Sequence, residues 1–244
     1  MAWPARPESL QPRGGVMKLL VVDTSLGLCT VGVFEVDSAG APCLGLRSEP
    51  MTKGHSERIA GFARDAAAAA GVSFAQLDRI GVTVGPGSFT GLRVGLAFAQ
   101  GLAAALDRPL VGLSGLDALA ASAGEALEVA ALIDARRGQV YARFWRAGAA
   151  DGPAEALTLE AAAGRIATLA EGAVLVGSGA ALFAAVAGDR TVLALEGPDP
   201  GALARLAAAA DPALALPRPL YLRAPDAKPP TRLPGQARGP AGTP

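Results

Sequence analysis

One histidine, His55, and two cysteines, Cys29 and Cys43, are all that the 244 residues offer toward soft metal ligation or thiol chemistry. A single histidine excludes a catalytic His pair or a two-His metal site built from this chain alone. The cysteines stand in no Cys-x-x-Cys or Cys/His cluster, so no metal is expected. Their scarcity, with no secretory leader visible, fits a reducing cytoplasm. Net charge is also lacking, at 22 basic against 22 acidic residues. The chain is therefore not expected to be the main electrostatic footprint on a nucleic acid or an anionic membrane, and RNA would be met only indirectly. Gly, Arg or Asp interrupts every apolar run before the roughly 20 residues of a membrane helix, so no membrane contact is expected. What is abundant is apolar: 51% of the residues are hydrophobic, enough for a sizeable core in one large domain or two small lobes. Lysine is confined to Lys18, Lys53 and Lys228 while Ala and Arg are heavily used, which reads as compositional bias without functional content.

Residues 1–16 carry prolines and charges in no period and are expected to be a disordered extension before Met17. Lys18 to Val22, Cys29 to Val36 and Cys43 to Arg47 read as a three-stranded antiparallel meander. Ser56 to Ala70 has helical periodicity, with Gly71 placed to end it. Ser73 to Gln76 has capping-box spacing, and Ile80 to Val84 is a strand. That strand feeds a glycine-rich corner, Gly85-Pro86-Gly87-Ser88-Phe89-Thr90-Gly91-Leu92-Arg93, which opens a helix to Leu106. This helix is apolar on nearly all sides, so burial by more than one neighbour is expected. Leu110 to Leu113 is a strand, and Ser114 caps a helix to about Ala123.

A second unit repeats the order. Strands are expected at Val129 to Asp134, Val140 to Arg146 and Ala154 to Leu159, then a helix from about Glu160 to Ala170 and a strand at Ala173 to Val176. The turn Gly177-Ser178-Gly179, a helix from Ala180 to Val186, a strand at Thr191 to Leu195 and a helix from Pro200 to Ala210 follow. Pro217 to Arg223 is a last strap, and residues 224–244 are expected to be a disordered Pro/Gly-rich tail. The layout is an α/β fold of two lobes, 17–123 and 124–223, each built as βββαβα, with Asp23 and Asp134 in equivalent places at the ends of the first strands. Two-lobed sugar kinases, actin and Hsp70-type ATPases grip phosphate between lobes of this kind.

Val22-Asp23-Thr24-Ser25, Gly54-His55-Ser56-Glu57, the corner from Gly85 to Arg93, Ile133-Asp134-Ala135-Arg136-Arg137 and Tyr221-Leu222-Arg223 together resemble, in order and spacing, the TsaB (YeaZ) family over about residues 17–223. The resemblance implies the actin/Hsp70-like (ASKHA) ATPase fold and a role in making threonylcarbamoyl-adenosine in tRNA. It further implies pairing with a related catalytic subunit, TsaD, and with the ATPase TsaE. The catalytic relatives hold a metal through His-x-x-x-His, and here His55 is followed four residues later by Ile59, so a non-catalytic subunit is expected. The family places the partner contact on the first two helices, which gives Ile59, Ala63, Ala66, Ala70, Leu92, Gly95, Leu96 and Gly101 as the interface, with a homodimer as the alternative when no partner is present.

Asp23, Thr24 and Ser25, with Asp134, Arg136 and Arg137, are the candidates for a nucleotide contact. ATP or ADP would bind at a subunit interface, with no cofactor belonging to the chain itself. The corner meets neither familiar phosphate signature: Leu92-Arg93 stands after Gly91 where Walker A needs Lys-Ser/Thr, and Thr90 replaces the third glycine of the dinucleotide pattern. It reads chiefly as a hinge that aims a partner-binding helix. Two other activities remain open: a stand-alone kinase or phosphotransferase using Asp23 and Asp134, and a peptidase with Ser25 or Ser88 as nucleophile and His55 as base.

Overall fold

The computed structural model describes residues 15–223, so the expectations for residues 1–14 and 224–244 lie outside the described residues. Strands β1 (Met17–Asp23), β2 (Leu28–Val36) and β3 (Cys43–Pro50) form the antiparallel meander. Helix α1 (His55–Ala70) ends on Gly71, whose φ of 64° lets its N–H reach back to the carbonyls of Ala67 and Ala68. A single 3₁₀ turn at Phe74–Gln76, closed by the Ser73/Gln76 capping box, leads into β4 (Arg79–Gly85). Helix α2 (Phe89–Leu106), β5 (Leu110–Ser114) and α3 (Gly115–Ser122) complete the first unit; Ser88 and Ser114 cap the two helices. β4 joins β1 in parallel and β5 joins β4, giving the order β3-β2-β1-β4-β5.

The second unit repeats this. β6 (Val129–Arg136) and β7 (Gln139–Arg146) form a hairpin, with β8 (Ala149–Ala150) and β9 (Glu155–Thr158) both on the far edge of β7. After α4 (Leu159–Ala167), β10 (Val174–Val176) and β11 (Thr191–Leu193) add in parallel to β6, and α5 (Pro200–Ala209) closes the unit. The first unit thus runs βββαβαβα, and the second has four strands before α4 and a 3₁₀ segment between β10 and β11, so each is longer than the repeat anticipated. Two local expectations are corrected. Ala180–Val186 is 3₁₀ rather than α, and the strand expected through Leu195 stops at Leu193, where its pairing with β10 ends.

β1 is buried on both sides, and its alternation divides the first core in two. Leu20 and Val22 pack with Ile59, Phe62, Ala63 and Ala66 of α1 and Leu96 and Ala99 of α2. Leu19 and Val21 face Leu203, Ala204 and Ala207 of α5. On the second sheet, Leu132 and Phe144 pack with Ile166 of α4 and Phe183, whereas Ile133 and Val176 pack with Leu116 and Leu119 of α3. The last helix of each unit therefore reaches the other unit's sheet, while α3 also keeps Ala118 on its own. The layers run α1/α2, first sheet, α3/α5, second sheet, α4.

Polar groups fix this exchange. Arg79 donates to the carbonyls of Ala207, Ala208 and Ala210 at 2.7, 3.1 and 2.8 Å, satisfying the end of α5. Burial pulls its guanidinium below the ordinary value, with Asp211 opposing. Asp117 of α3 binds Arg143 of β7 at 2.6 Å.

Candidate functional site

The glycine-rich corner is built to receive the turn after β1. A Cβ on Gly87 would overlap the carbonyl of Ser25, and one on Gly91 would overlap the carbonyl of Thr24. Ser88 N–H donates to Ser25 O at 2.7 Å, and Thr24 Oγ1 donates to Gly91 O at 2.7 Å. The next corner amides are used as well: Gly91 N–H donates to Ser88 Oγ and Leu92 N–H to Ser88 O. A phosphate cradle needs such donors open. Here the Ser88 amide binds the turn after β1, and those of Gly91 and Leu92 close the first turn of α2.

Asp23 is engaged in the same way. It is 1% exposed, and its Oδ1 accepts from Ser25 N at 2.9 Å, Ser25 Oγ at 2.6 Å and Thr83 Oγ1 at 2.6 Å. The segment Glu196-Gly197 lies over this turn: Gly27 N–H donates to Glu196 O, and a Cβ on Gly197 would stand 3.6 Å from Asp23 Oδ2. Its equivalent differs. Asp134 accepts from Arg136 N at 2.7 Å and ion-pairs with Arg136, whose side chain is 85% exposed. Arg136 and Arg137 both adopt left-handed φ, 61° and 56°, at the β6–β7 turn. Arg223 donates to the carbonyl of Ala135 beside them. Of the six nucleotide candidates, Asp23, Thr24 and Ser25 are thus committed inside the fold, while Asp134, Arg136 and Arg137 form a separate surface turn.

The peptidase constellation is not assembled. Ser25 Oγ donates to Asp23, Ser88 Oγ caps α2, and the buried His55 has an Nε2 with no hydrogen-bond partner among the described residues. Cys29 offers no thiolate either, because burial, with the carboxylates of Asp23 and Glu49 adding to it, pushes its thiol up to about 11.

The open feature is a groove of about 500 Å³ between the outer sides of α1 and α2, lined by Ile59, Ala60, Phe89, Val94, Ala97 and Phe98 among others. This corrects two expectations. First, α2 is not enclosed by several neighbours. Gly91, Leu92, Gly95, Leu96, Ala99 and Ala103 are buried, but Phe89 is 51% exposed and Ala97 is exposed. The reason is layer geometry: the sheet covers one side, and α1 lies only alongside. Second, six of the eight residues expected at the partner contact are buried within the chain. Ile59, Ala63, Ala66, Leu92, Gly95 and Leu96 are buried against their own chain, Ala70 is half-buried and Gly101 is exposed. Gly95 is small because Thr24 Oγ1 occupies the place of a Cβ, not because a second helix approaches. Ile59 alone among the six also reaches the groove wall.

At the groove mouth, the Arg93 guanidinium stacks on Phe89 at 3.7 Å and its Nε donates to Tyr221 Oη at 3.3 Å. Tyr221 packs against Phe89 at 5.6 Å between ring centroids. Sequence reasoning quoted all three residues within motifs but assigned them no joint role. They meet only because the strap after α5 returns to β4, where Leu220 N–H donates to Val84 O at 2.7 Å. α2 is also, among the described residues, the one helix long and apolar enough by length and composition to cross a membrane, with mean hydropathy 1.3 over 18 residues. That revises the reading that no run reaches such a length: Arg93 is its single charge, and glycine barely lowers hydropathy.

Comparison with known proteins agrees with this architecture. The sequence model of the family described as TsaD, tRNA N6-adenosine threonylcarbamoyltransferase, matches residues 41–171. The tRNA threonylcarbamoyladenosine biosynthesis protein TsaB of Escherichia coli is 34% identical over 128 residues, covering 51% of this chain and 53% of that protein. The chain thus spans about half the length of such curated relatives. An uncharacterized protein of Mycobacterium tuberculosis is 35% identical over 216 residues, covering 88% of this chain and 95% of that one. Two solved structures from Pseudomonas aeruginosa superpose on it. One, described as similar to peptidase YEAZ, has TM-score 0.69 at 30% identity and covers 85% of this chain and all of that one. The other, YeaZ itself, has TM-score 0.66 at 28% identity, with 84% and 100% coverage. The two mixed sheets with exchanged helices are accordingly an actin/Hsp70-like, ASKHA-type fold, and by fold, family match and full-length superposition together the chain belongs to the TsaB (YeaZ) family.

Proposed function

We propose that this chain is a non-catalytic subunit of the cytoplasmic machinery that makes threonylcarbamoyl-adenosine in tRNA. In this reading it binds and activates a TsaD-type catalytic subunit, and a TsaE-type ATPase completes the assembly. The observation that carries the proposal is the open apolar groove of α1 and α2, whose lining side chains gain most from burial under another protein. The docking residues are those of the outer side, Ala60, Phe89, Val94, Ala97 and Phe98, in place of the inward set. A second copy of the chain would occupy the same groove when the catalytic subunit is absent. tRNA is reached through the partner, and a nucleotide would touch the chain only at a subunit interface, near Asp134, Arg136 and Arg137.

Independent ATP turnover finds little support in the geometry, because Asp23 Oδ1 already accepts three hydrogen bonds and the amides of Ser88, Gly91 and Leu92 are engaged. The test is co-purification with the TsaD-type subunit of the same organism, followed by tRNA modification in vitro with and without this chain. We expect a stable complex and modification that depends on the chain. Equal yield on omission, or robust ATP hydrolysis by the chain alone, would overturn the proposal.

A further inference from the structure

Arg93 is the one charged side chain among the described residues that line the α1/α2 groove; the rest of the lining is apolar apart from the hydroxyls of Ser56 and Thr90. Its guanidinium is held from two sides, by the Phe89 ring at 3.7 Å and by Tyr221 Oη at 3.3 Å from Nε. That arrangement uses one of its five N–H donors. Some other arginines of the fold have carboxylate partners, as Arg58 on α1 meets Glu49 at 2.8 Å and Arg143 meets Asp117 at 2.6 Å, and others such as Arg79 and Arg190 are met by several carbonyls. Among the described residues Arg93 has none, and no ion pair or hydrogen bond other than the one to Tyr221 involves it.

Covering a guanidinium with an apolar surface is strongly unfavourable unless its donors are met, and a planar fork is best met by a carboxylate. Resting on the partner-docking reading above, we infer that the surface which fills this groove is a largely apolar protein face carrying one Asp or Glu opposite Arg93. The Phe89–Arg93–Tyr221 stack is then the specificity anchor of the interface. Aromatic and arginine side chains fixed in place before binding lose little freedom on docking, which is the composition and state of interface hot spots. A nucleic-acid backbone would also offer anions to Arg93. The flanking Ala60, Val94, Ala97 and Phe98 give it nothing, because phosphate binding draws on clustered cations rather than apolar walls. The anchor also joins two motifs that lie far apart in sequence: the corner supplies Phe89 and Arg93, and the strap supplies Tyr221 to hold the guanidinium in place.

The experiment measures affinity of the full chain for the TsaD-type subunit of the same organism by titration calorimetry, with thermal unfolding of every variant recorded. Ala97→Arg tests the groove itself and should abolish binding with an unchanged unfolding midpoint. Arg93→Glu should weaken binding about 100-fold or more, and Arg93→Gln about 10-fold, both with unchanged midpoints. Reversing to Arg, one at a time, the surface acids of the partner should identify one substitution that restores binding to the Arg93→Glu chain. If Ala97→Arg abolishes binding while both Arg93 variants bind like the parent, the groove stands and the carboxylate inference falls. If Ala97→Arg binds normally, the docking reading fails and this inference with it. Loss of tRNA retention in Arg93→Glu with unchanged subunit affinity would also overturn it, in favour of a phosphate ligand.

Discussion

The two sides of α2 follow opposite rules although they share one backbone. The inner side presents Gly91, Leu92, Gly95 and Leu96 to β1, β4 and the turn at Thr24, and its small residues sit where the Thr24 carbonyl and the Thr24 side chain arrive. The outer side presents Phe89, Arg93, Ala97 and Phe98, larger and less buried, with nothing of this chain across from them except α1 and Tyr221. Gly91 and Gly95 thus mark internal contact, and the aromatic and arginine residues stand on the open side. A stripe of small residues identifies a close approach without saying whose backbone approaches.

The largest effect that would test this contrast is on the inner side. Leu96→Arg puts an unpaired charge at a position 4% exposed, a loss on the order of 5 kcal/mol, comparable with the whole stability of a typical domain. We expect no cooperative unfolding transition by circular dichroism; a well-folded variant that merely fails to bind would return Leu96 to the interface. Gly91→Ala should destabilise by about 2–3 kcal/mol, because its Cβ meets the Thr24 carbonyl, a backbone atom with no rotamer to give. Denaturant midpoints measure this, and an unchanged midpoint would mean the Thr24 turn is not held as described. The smallest effect belongs to Gly101, which is exposed and whose added Cβ would meet nothing within 4 Å. Gly101→Ala should stabilise by about 0.5–1 kcal/mol through helix propensity alone and leave partner affinity untouched. Lost affinity in that variant would extend the interface beyond the groove.

Much of the fold was legible because it is written locally. Alternation gave the meander, Gly71 and Ser88 marked helix ends, and the repeated element order implied two lobes. The exchange of α3 and α5 was not legible, since an amphipathic helix carries the same pattern whichever sheet it covers. Arg79 could not have been assigned to the end of α5, 128 residues away. Of the candidate site, the helices and motifs were legible, but not that most of the residues chosen on them are buried against their own chain. α2 is apolar nearly all round, and no periodicity distinguishes its core side from its open side.

The sequence by itself determined the elements, their caps and the family, because these depend on backbone preferences and on motifs read within a few residues. Only the tertiary structure decided which apolar side is core and which stays open, where Arg93 finds Tyr221, and that the corner holds the turn at Thr24 and Ser25. These are contacts between residues far apart in the chain. Burial, the quantity that separates packing from binding, belongs to the assembled layers and to no residue alone.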